Sequence, residues 1–435
     1  MDTRKRWFRL DNAGKVFPPL RSRHFTTVFR LAAVLREAVY LPDLQRALET
    51  VLPRFPVFRV HLKKGVFWYY LEENRERPLI HPETRHPCMW RPRGGSGEFP
   101  FRVKAYGHRI ALEVAHMITD GHGARSFLLA LLREYLRVRG GAAAGRDSGE
   151  GKDGNRAVPP EELEDSFLRA FDPNVPGMPS PAPAYHLPLA LSPRGAYYTL
   201  TGLVPAGRLR EEARSRGVSV TEYLLAQLFA SYQDIAAERR PQRPIRVLVP
   251  VDLRRFYGSR SMRNFFVFLE PEIDLRLGHY DLDELIGRAH HFMQLNTTRK
   301  VLSRYISRNV RPEASVLLRL VPRGAKDLIL SYAHQRYGER SNTGSLSNLG
   351  RVELPEGLRG AVRHFEFFPI PSRSTKVNCA VISYGEDTAI SFGKMTEDRR
   401  LERAFFRRLR RSEIPVRITT NQPHDSGTAG AAGQE

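Results

Sequence analysis

The sequence predicts an α/β fold in two lobes, and three observations carry that prediction. At 435 residues the chain is longer than one compact hydrophobic core usually supports. Strand-like and helix-like patterns occur in both its first and its last parts, so neither half is purely one class. Between them, residues 140–161 (GGAAAGRDSGEGKDGNRAVPPE) lose all periodicity and are rich in Gly, Asp and Pro, the composition of a linker or mobile loop. A Pro-rich stretch, 172–188, prolongs the interruption. The expected organisation is an N-terminal lobe over 1–139, a linking segment over 140–190, a C-terminal lobe over 191–412 and a disordered tail over 413–435.

Taken in order, PDLQRALETVL (42–52) has apolar residues at helical spacing and predicts an amphipathic helix. PRFPVFRVHL and GVFWYYLEE predict strands, and FPFRVKAY and RIALEVAH flank Gly107-His108 as a hairpin. ARSFLLALLREYLRV has a broad apolar face and predicts a helix stopped by Gly140-Gly141. Beyond the linker, YYTLTGLVP predicts a strand. VSVTEYLLAQLFASYQDIAAE predicts a helix capped by Ser219 or Thr221. IRVLVPVDLRRF reads as a buried strand running into a loop, and NFFVFLEPEI as a further strand. DLDELIGRAHHFMQLNTTRKVL and PEASVLLRLVPRGAKDLILSYAHQ are helical in pattern. TGSLSNLGRVELP, VRHFEFFPI, KVNCAVISYG and DTAISFGKM predict strands, and DRRLERAFFRRLRRS predicts a closing helix.

Composition narrows the class. Hydrophobic residues at 41% and aromatics at 10% mark a globular chain. The start, MDTRKRWFRLDN, has no apolar core of a secretory signal, and no uncharged apolar run is long enough for a membrane span. The two cysteines, Cys88 and Cys379, are far apart and in no metal-like spacing. A cytoplasmic, monomeric protein is the expectation. The formal charge of +22 comes mostly from arginines spread over the whole length. A nucleic-acid binder concentrates such charge in a stripe with a recognisable motif, and none is present, so no nucleic acid is expected. Attraction to anionic ligands, or peripheral contact with an anionic membrane, accounts for it.

Chemistry concentrates in EVAHMITDGHG (113–123), where a strand finishes on His116 and turns through Asp120-Gly121. A satisfied strand-end histidine with an ordinary turn and a base at the mouth of a cleft both fit this string. His116, Asp120 and His122 also form HxxxDxH, but metal sites usually add ligands in further short spacings, and His290-His291 face different ways on a helix, so no metal is expected. There is no GxSxG elbow, and neither cysteine has a charged or His-rich context to activate it.

HMITDG resembles the HHxxxDG motif of the CoA-dependent acyltransferase superfamily, which includes chloramphenicol acetyltransferases, condensation domains and alcohol acetyltransferases. PRFPVFRV resembles the RHExLRT region of condensation domains. VSVTEYLLA, PVDLRRFYGSRSMRNFF, SLSNLGRVELP and VNCAVISYGEDTAISFGKM follow in the order of the later landmarks. The likeness runs from about residue 8 to residue 412 and is closest to bacterial alcohol acetyltransferase-like proteins. The first histidine of the doublet is Ala115 here, and the DFGWG motif of the plant branch is absent.

The resemblance implies two chloramphenicol-acetyltransferase-like α/β sandwich lobes in a V with a central tunnel. It implies His116 as catalytic base, with Asp120 turned away from it onto an arginine. Arg59 matches the second arginine of RHExLRT and is the candidate partner, with Arg254 as the alternative. Gly121 would allow the tight turn. Ser347 and Asn348 of SLSNLG are candidates for the tunnel or for oxyanion stabilisation, against a plain turn role. The implied reaction moves an acyl group, acetyl by nearest resemblance, from a CoA-type thioester to a hydroxyl or amine, with no bound cofactor. Acyl-CoA and an acyl-carrier protein remain alternative donors, since both present a phosphopantetheine arm. A basic binding protein of the same fold without turnover is the competing reading.

Overall fold

The computed structural model describes residues 5–20, 26–90, 97–140, 158–239, 241–314, 320–333 and 338–423. The first part of the chain supplies β1 (Trp7–Arg9), β2 (Val28–Leu35), β3 (Val60–Lys64), β4 (Tyr69–Glu73), β5 (Ile80–Pro82), β6 (Phe101–Tyr106) and β7 (Arg109–Ala115). The later part supplies β8 (Tyr198–Pro205), β9 (Ile245–Asp252), β10 (Phe266–Leu269), β11 (Glu272–Ile273), β12 (Gly344–Val352), β13 (Val362–Phe368), β14 (Val377–Tyr384), β15 (Asp387–Lys394) and β16 (Arg417–Thr420).

These strands form three sheets. A small one runs β1-β4-β3. A five-stranded one runs β13-β2-β7-β6-β5. An eight-stranded one runs β10-β9-β12-β14-β15-β8-β16, with β11 beside β9. Mixed α/β construction with helices on the sheets is therefore the observed class.

Local sequence explains the elements that position the site. β6 and β7 pair Tyr106 with Arg109 across Gly107, whose φ of +53° is a left-handed conformation that glycine adopts without a Cβ clash. The helix Gly121–Gly140 buries Phe127, Leu128, Leu131, Leu132 and Tyr135 on one face, and Phe127 stacks on Phe58 with ring centres 4.3 Å apart. The helix Val220–Ala236 begins at a full capping box: Ser219 Oγ accepts from Glu222 N, and Glu222 Oε2 accepts from Ser219 N. The pattern expected as one helix over DLDELIG…TRKVL is broken at Thr297-Thr298, giving Leu282–Asn296 and Arg299–Ala314. Its polar NTT sequence ends the first helix.

Two hydrophobic clusters form the core, but they do not follow the expected boundary at residue 191. β13 pairs antiparallel with β2 from Val362↔Leu35 to Phe368↔Arg30, so the later half lends a strand to the earlier half's sheet. Val362, Phe365 and Phe367 lie in the core of that first lobe. The tail also differs from expectation. Ile414 is buried in the second core, and β16 adds an edge to β8 from Arg417↔Leu203 to Thr420↔Leu200. Alternating Val416, Ile418 and threonines suit an edge strand, a β signal that the polar composition concealed. The linker expected over 140–161 falls largely on residues 141–157, outside the described residues, as does 424–435. Among the described residues, no helix is long and apolar enough to cross a membrane.

Candidate active site

β7 carries EVA inward and ends at His116, whose N–H donates to Thr27 O at 2.7 Å. Residues 111–115 and 117–120 are buried, and His116 is half-buried. Its ring is walled by three phenylalanines. Phe17 stacks on it at 4.7 Å and an interplanar angle of 20°. Phe29 of β2 and Phe266 of β10 flank it at 5.0 and 5.4 Å. Those apolar walls strip water from the imidazole and disfavour its charged form. Burial thus holds the His116 pKa below the ordinary 6.5, against the opposing charge of Asp120 and the hydrogen bond to Asn264.

Asn264 is the residue that sequence reasoning missed. His116 Nδ1 lies 2.9 Å from Asn264 Oδ1. The amide nitrogen of Asn264 donates to both carboxylate oxygens of Asp11, at 3.2 and 3.1 Å, and to His116 O at 3.0 Å. Its oxygen is therefore the atom facing the ring. A carbonyl oxygen only accepts, so Nδ1 carries the hydrogen and Nε2 is left with its lone pair. Asp11 is buried, accepts from Gly14 N at 2.6 Å, and faces Arg263 Nε at 3.4 Å. Burial raises the Asp11 pKa, and Arg263 opposes that rise. Asp11 and Asn264 are 253 positions apart, so no local pattern could have joined them. Asn264 does stand inside the quoted SRSMRNFF, where a polar residue directly before two phenylalanines was the one available signal.

Asp120 turns away from the imidazole. Its Oδ2 accepts from Arg254 Nη2 and Phe265 N, each at 2.9 Å. Its Oδ1 accepts from His122 N at 3.0 Å and Gly123 N at 3.3 Å, closing the start of the helix Gly121–Gly140. Burial pushes this carboxyl up, but the Arg254 charge together with the backbone donors outweighs it and holds the pKa below the usual range. Arg254 also donates to Asp252 Oδ1 at 2.8 Å and to Ser261 O at 2.7 Å.

The partner is thus Arg254 and not Arg59. Arg59 sits before β3 of the small sheet, where its backbone N–H donates to Phe55 O and its carbonyl accepts from Asn74 N. Gly121 has no positive φ, and a Cβ there would press on the end of the Leu349 side chain, which would have to shift. His122 does not join His116 and Asp120 at a common point; its Nδ1 lies 3.9 Å from Asp252. Among the described residues, no three His, Cys, Asp or Glu side chains form a metal-sized group. Cys88 and Cys379 are both free and buried, and burial raises the pKa of each thiol.

β12 approaches the same region. It pairs with β9 only at Gly344↔Val247 and Ser345↔Leu248, then continues along β14 alone. The two strands part after that pair, and Leu349 O accepts from Arg125 Nη1 at 2.9 Å. Asn348 uses its carboxamide locally: Nδ2 donates to Thr221 Oγ1 at 2.9 Å, and Oδ1 accepts from Gly350 N at 2.8 Å. Ser347 is half-buried at the point of parting. A cavity of about 370 Å³ lies elsewhere, between β2, β13 and the β8–β16 edge. Two of its arginines are paired, Arg109 with Glu366 and Arg30 with Glu83, and its lining does not include His116.

No protein-family model matches the chain, and no curated protein sequence does either. Solved structures do match. The starter condensation domain of rhizomide synthetase, in complex with C8-CoA and Leu-SNAC, superposes with a TM-score of 0.59 at 13% identity, over 94% of each chain. The trichothecene 15-O-acetyltransferase of Fusarium sporotrichioides gives a TM-score of 0.59 at 12% identity, also over 94% of each chain. A wax ester synthase/diacylglycerol acyltransferase from Marinobacter aquaeolei gives 0.53 at 14% identity, over 93% of this chain and all of that one. The chain has the chloramphenicol acetyltransferase-like fold that condensation domains and CoA-dependent acyltransferases share.

Proposed function

We propose that the protein transfers an acyl group from a CoA-type thioester to an acceptor hydroxyl or amine, with His116 as general base. The observation that carries this reading is the ordered chain Asp11–Asn264–His116, which presents a neutral imidazole with a free Nε2 in an aromatic-walled site.

The step balances without a covalent intermediate. Nε2 takes the acceptor proton as the acceptor oxygen or nitrogen bonds to the thioester carbonyl carbon. Collapse of the tetrahedral species breaks the carbon–sulfur bond, and the imidazolium returns the proton to the leaving thiolate. The activated thioester and the joint binding of both substrates make a protein nucleophile unnecessary. Asp120 assists by holding the turn through Arg254, which offsets its charge, while burial keeps His116 neutral. Ser347, close to the parting of β9 and β12, is our candidate for lining the path of the donor arm.

Acyl-CoA and an acyl-carrier protein fit this scheme equally, because the reacting arm is the same. The test is thiol release from acetyl-CoA, longer acyl-CoAs and acyl-carrier protein with a panel of hydroxylated and amine acceptors. Acceptor-dependent thiol release with one donor class supports the reading and identifies the donor. Trapping of an acyl-enzyme in the absence of acceptor would contradict it.

A further inference from the structure

We propose that the cavity between β2, β13 and the β8–β16 edge is a second ligand site, built for a neutral polyhydroxylated molecule such as a sugar. It rests on none of the chemistry assigned to His116.

The cavity, about 370 Å³, is of the size that encloses a small molecule. One wall is a bank of hydroxyls. Thr199 and Thr201 are two apart on β8 and so share a face, and Thr419 of β16 pairs with Thr201 across the strands. All three line the cavity. Among the described residues, the Thr199 and Thr419 hydroxyls have no hydrogen-bond partner, and Thr201 Oγ1 meets Ser391 Oγ at 3.0 Å. A hydroxyl both donates and accepts, so the bank suits a partner of the same kind.

The opposite wall is charged, but its charges are matched. Arg109 holds Glu366 through two hydrogen bonds of 3.0 Å. Arg30 holds Glu83 likewise, through Nη1 and Nη2. Arg85, exposed, is the remaining charged residue of the lining. Satisfied pairs offer little to an ion of either sign, yet their N–H and carboxylate edges still hydrogen-bond a neutral ligand.

One buried donor on that wall is short of an acceptor. Arg30 is 3% exposed, and its Nε has no hydrogen-bond partner. Leaving a buried N–H unmet is costly, and a ligand hydroxyl in the cavity that Arg30 lines would meet it. Aromatic surface completes the lining: Tyr106, 73% exposed, and buried Phe368. The C–H face of a sugar ring packs on such side chains while its hydroxyls take the polar walls. An apolar ligand would strip water from the threonines and give them no partner. A metal ion would find both carboxylates already held by arginine.

Titration calorimetry of the full chain with glucose, galactose, mannose, ribose and myo-inositol tests the site, with glucose 6-phosphate and citrate as charged counterparts. At least one neutral member should bind saturably, and neither anion should bind more tightly than it does. Thr199→Val/Thr419→Val should weaken that binding about tenfold, the worth of two hydrogen bonds, and Tyr106→Ala should weaken it by a similar factor. Both variants should keep the wild-type circular dichroism, because Tyr106 is exposed and valine keeps the strand preference of threonine. His116→Ala should bind the sugar as wild type does, so failure of the proposed reaction leaves this test intact. No saturable binding by any neutral member overturns the proposal. So does binding that either site variant leaves unchanged, binding lost in His116→Ala, or tighter binding of an anion.

Discussion

At the scale of single residues, the proposed reaction turns on the state of one imidazole. Burial holds His116 below 6.5, so the acid limb of kcat/KM should fall below that value and the rate should be flat through neutrality. Asn264→Asp replaces a carbonyl oxygen beside Nδ1 with a negative charge, which favours imidazolium. The acid limb of that variant should therefore move up in pH. Asn264→Ala removes the same hydrogen bond without adding charge, so its limb should not rise, while kcat falls on the order of tenfold as the ring loses its orientation. A pH profile identical in wild type and Asn264→Asp would show that Asn264 does not address the ring. His116 was legible in the sequence from HMITDG. Asn264 and Asp11 were not, because their relation exists only after β10 and the segment following β1 meet.

At the scale of elements, the turn after β7 is held by a buried pair. Asp120→Asn leaves Arg254 buried and short of its partner, which should cost about 3–5 kcal/mol of stability, read as a lowered denaturation midpoint. Unchanged stability would mean the pair is not load-sharing, whatever happens to activity. The choice between Arg59 and Arg254 could not be made from spacing, since both precede or follow plausible strands. It is settled by where β9 ends: Arg254 follows that strand directly, and β9 pairs with β10, whose neighbour Phe265 donates to the same carboxylate. The closing segment gives a second test. Ile414 is 1% exposed within the second core, so Ile414→Ala should destabilise by about 2–5 kcal/mol. A negligible effect would return the segment after Ser412 to the status of a free tail.

At the scale of the whole molecule, periodicity disclosed the α/β class and most strands, because most elements bury an apolar face at their own period. It did not disclose that β13 crosses to β2, since VRHFEFFPI alternates identically whichever sheet it joins. The charge of +22 acts over the entire surface, so raising ionic strength should weaken binding of a polyanionic donor such as acyl-CoA, seen as a rising KM with kcat little changed. The account stands most directly on the fate of His116. Acceptor-dependent thiol release should be measured for wild type and for His116→Ala, with circular dichroism confirming that the variant is folded. The account predicts a loss on the order of a hundredfold or more in the variant, with no acyl-enzyme in either protein. A folded His116→Ala enzyme that releases thiol at close to the wild-type rate would contradict it.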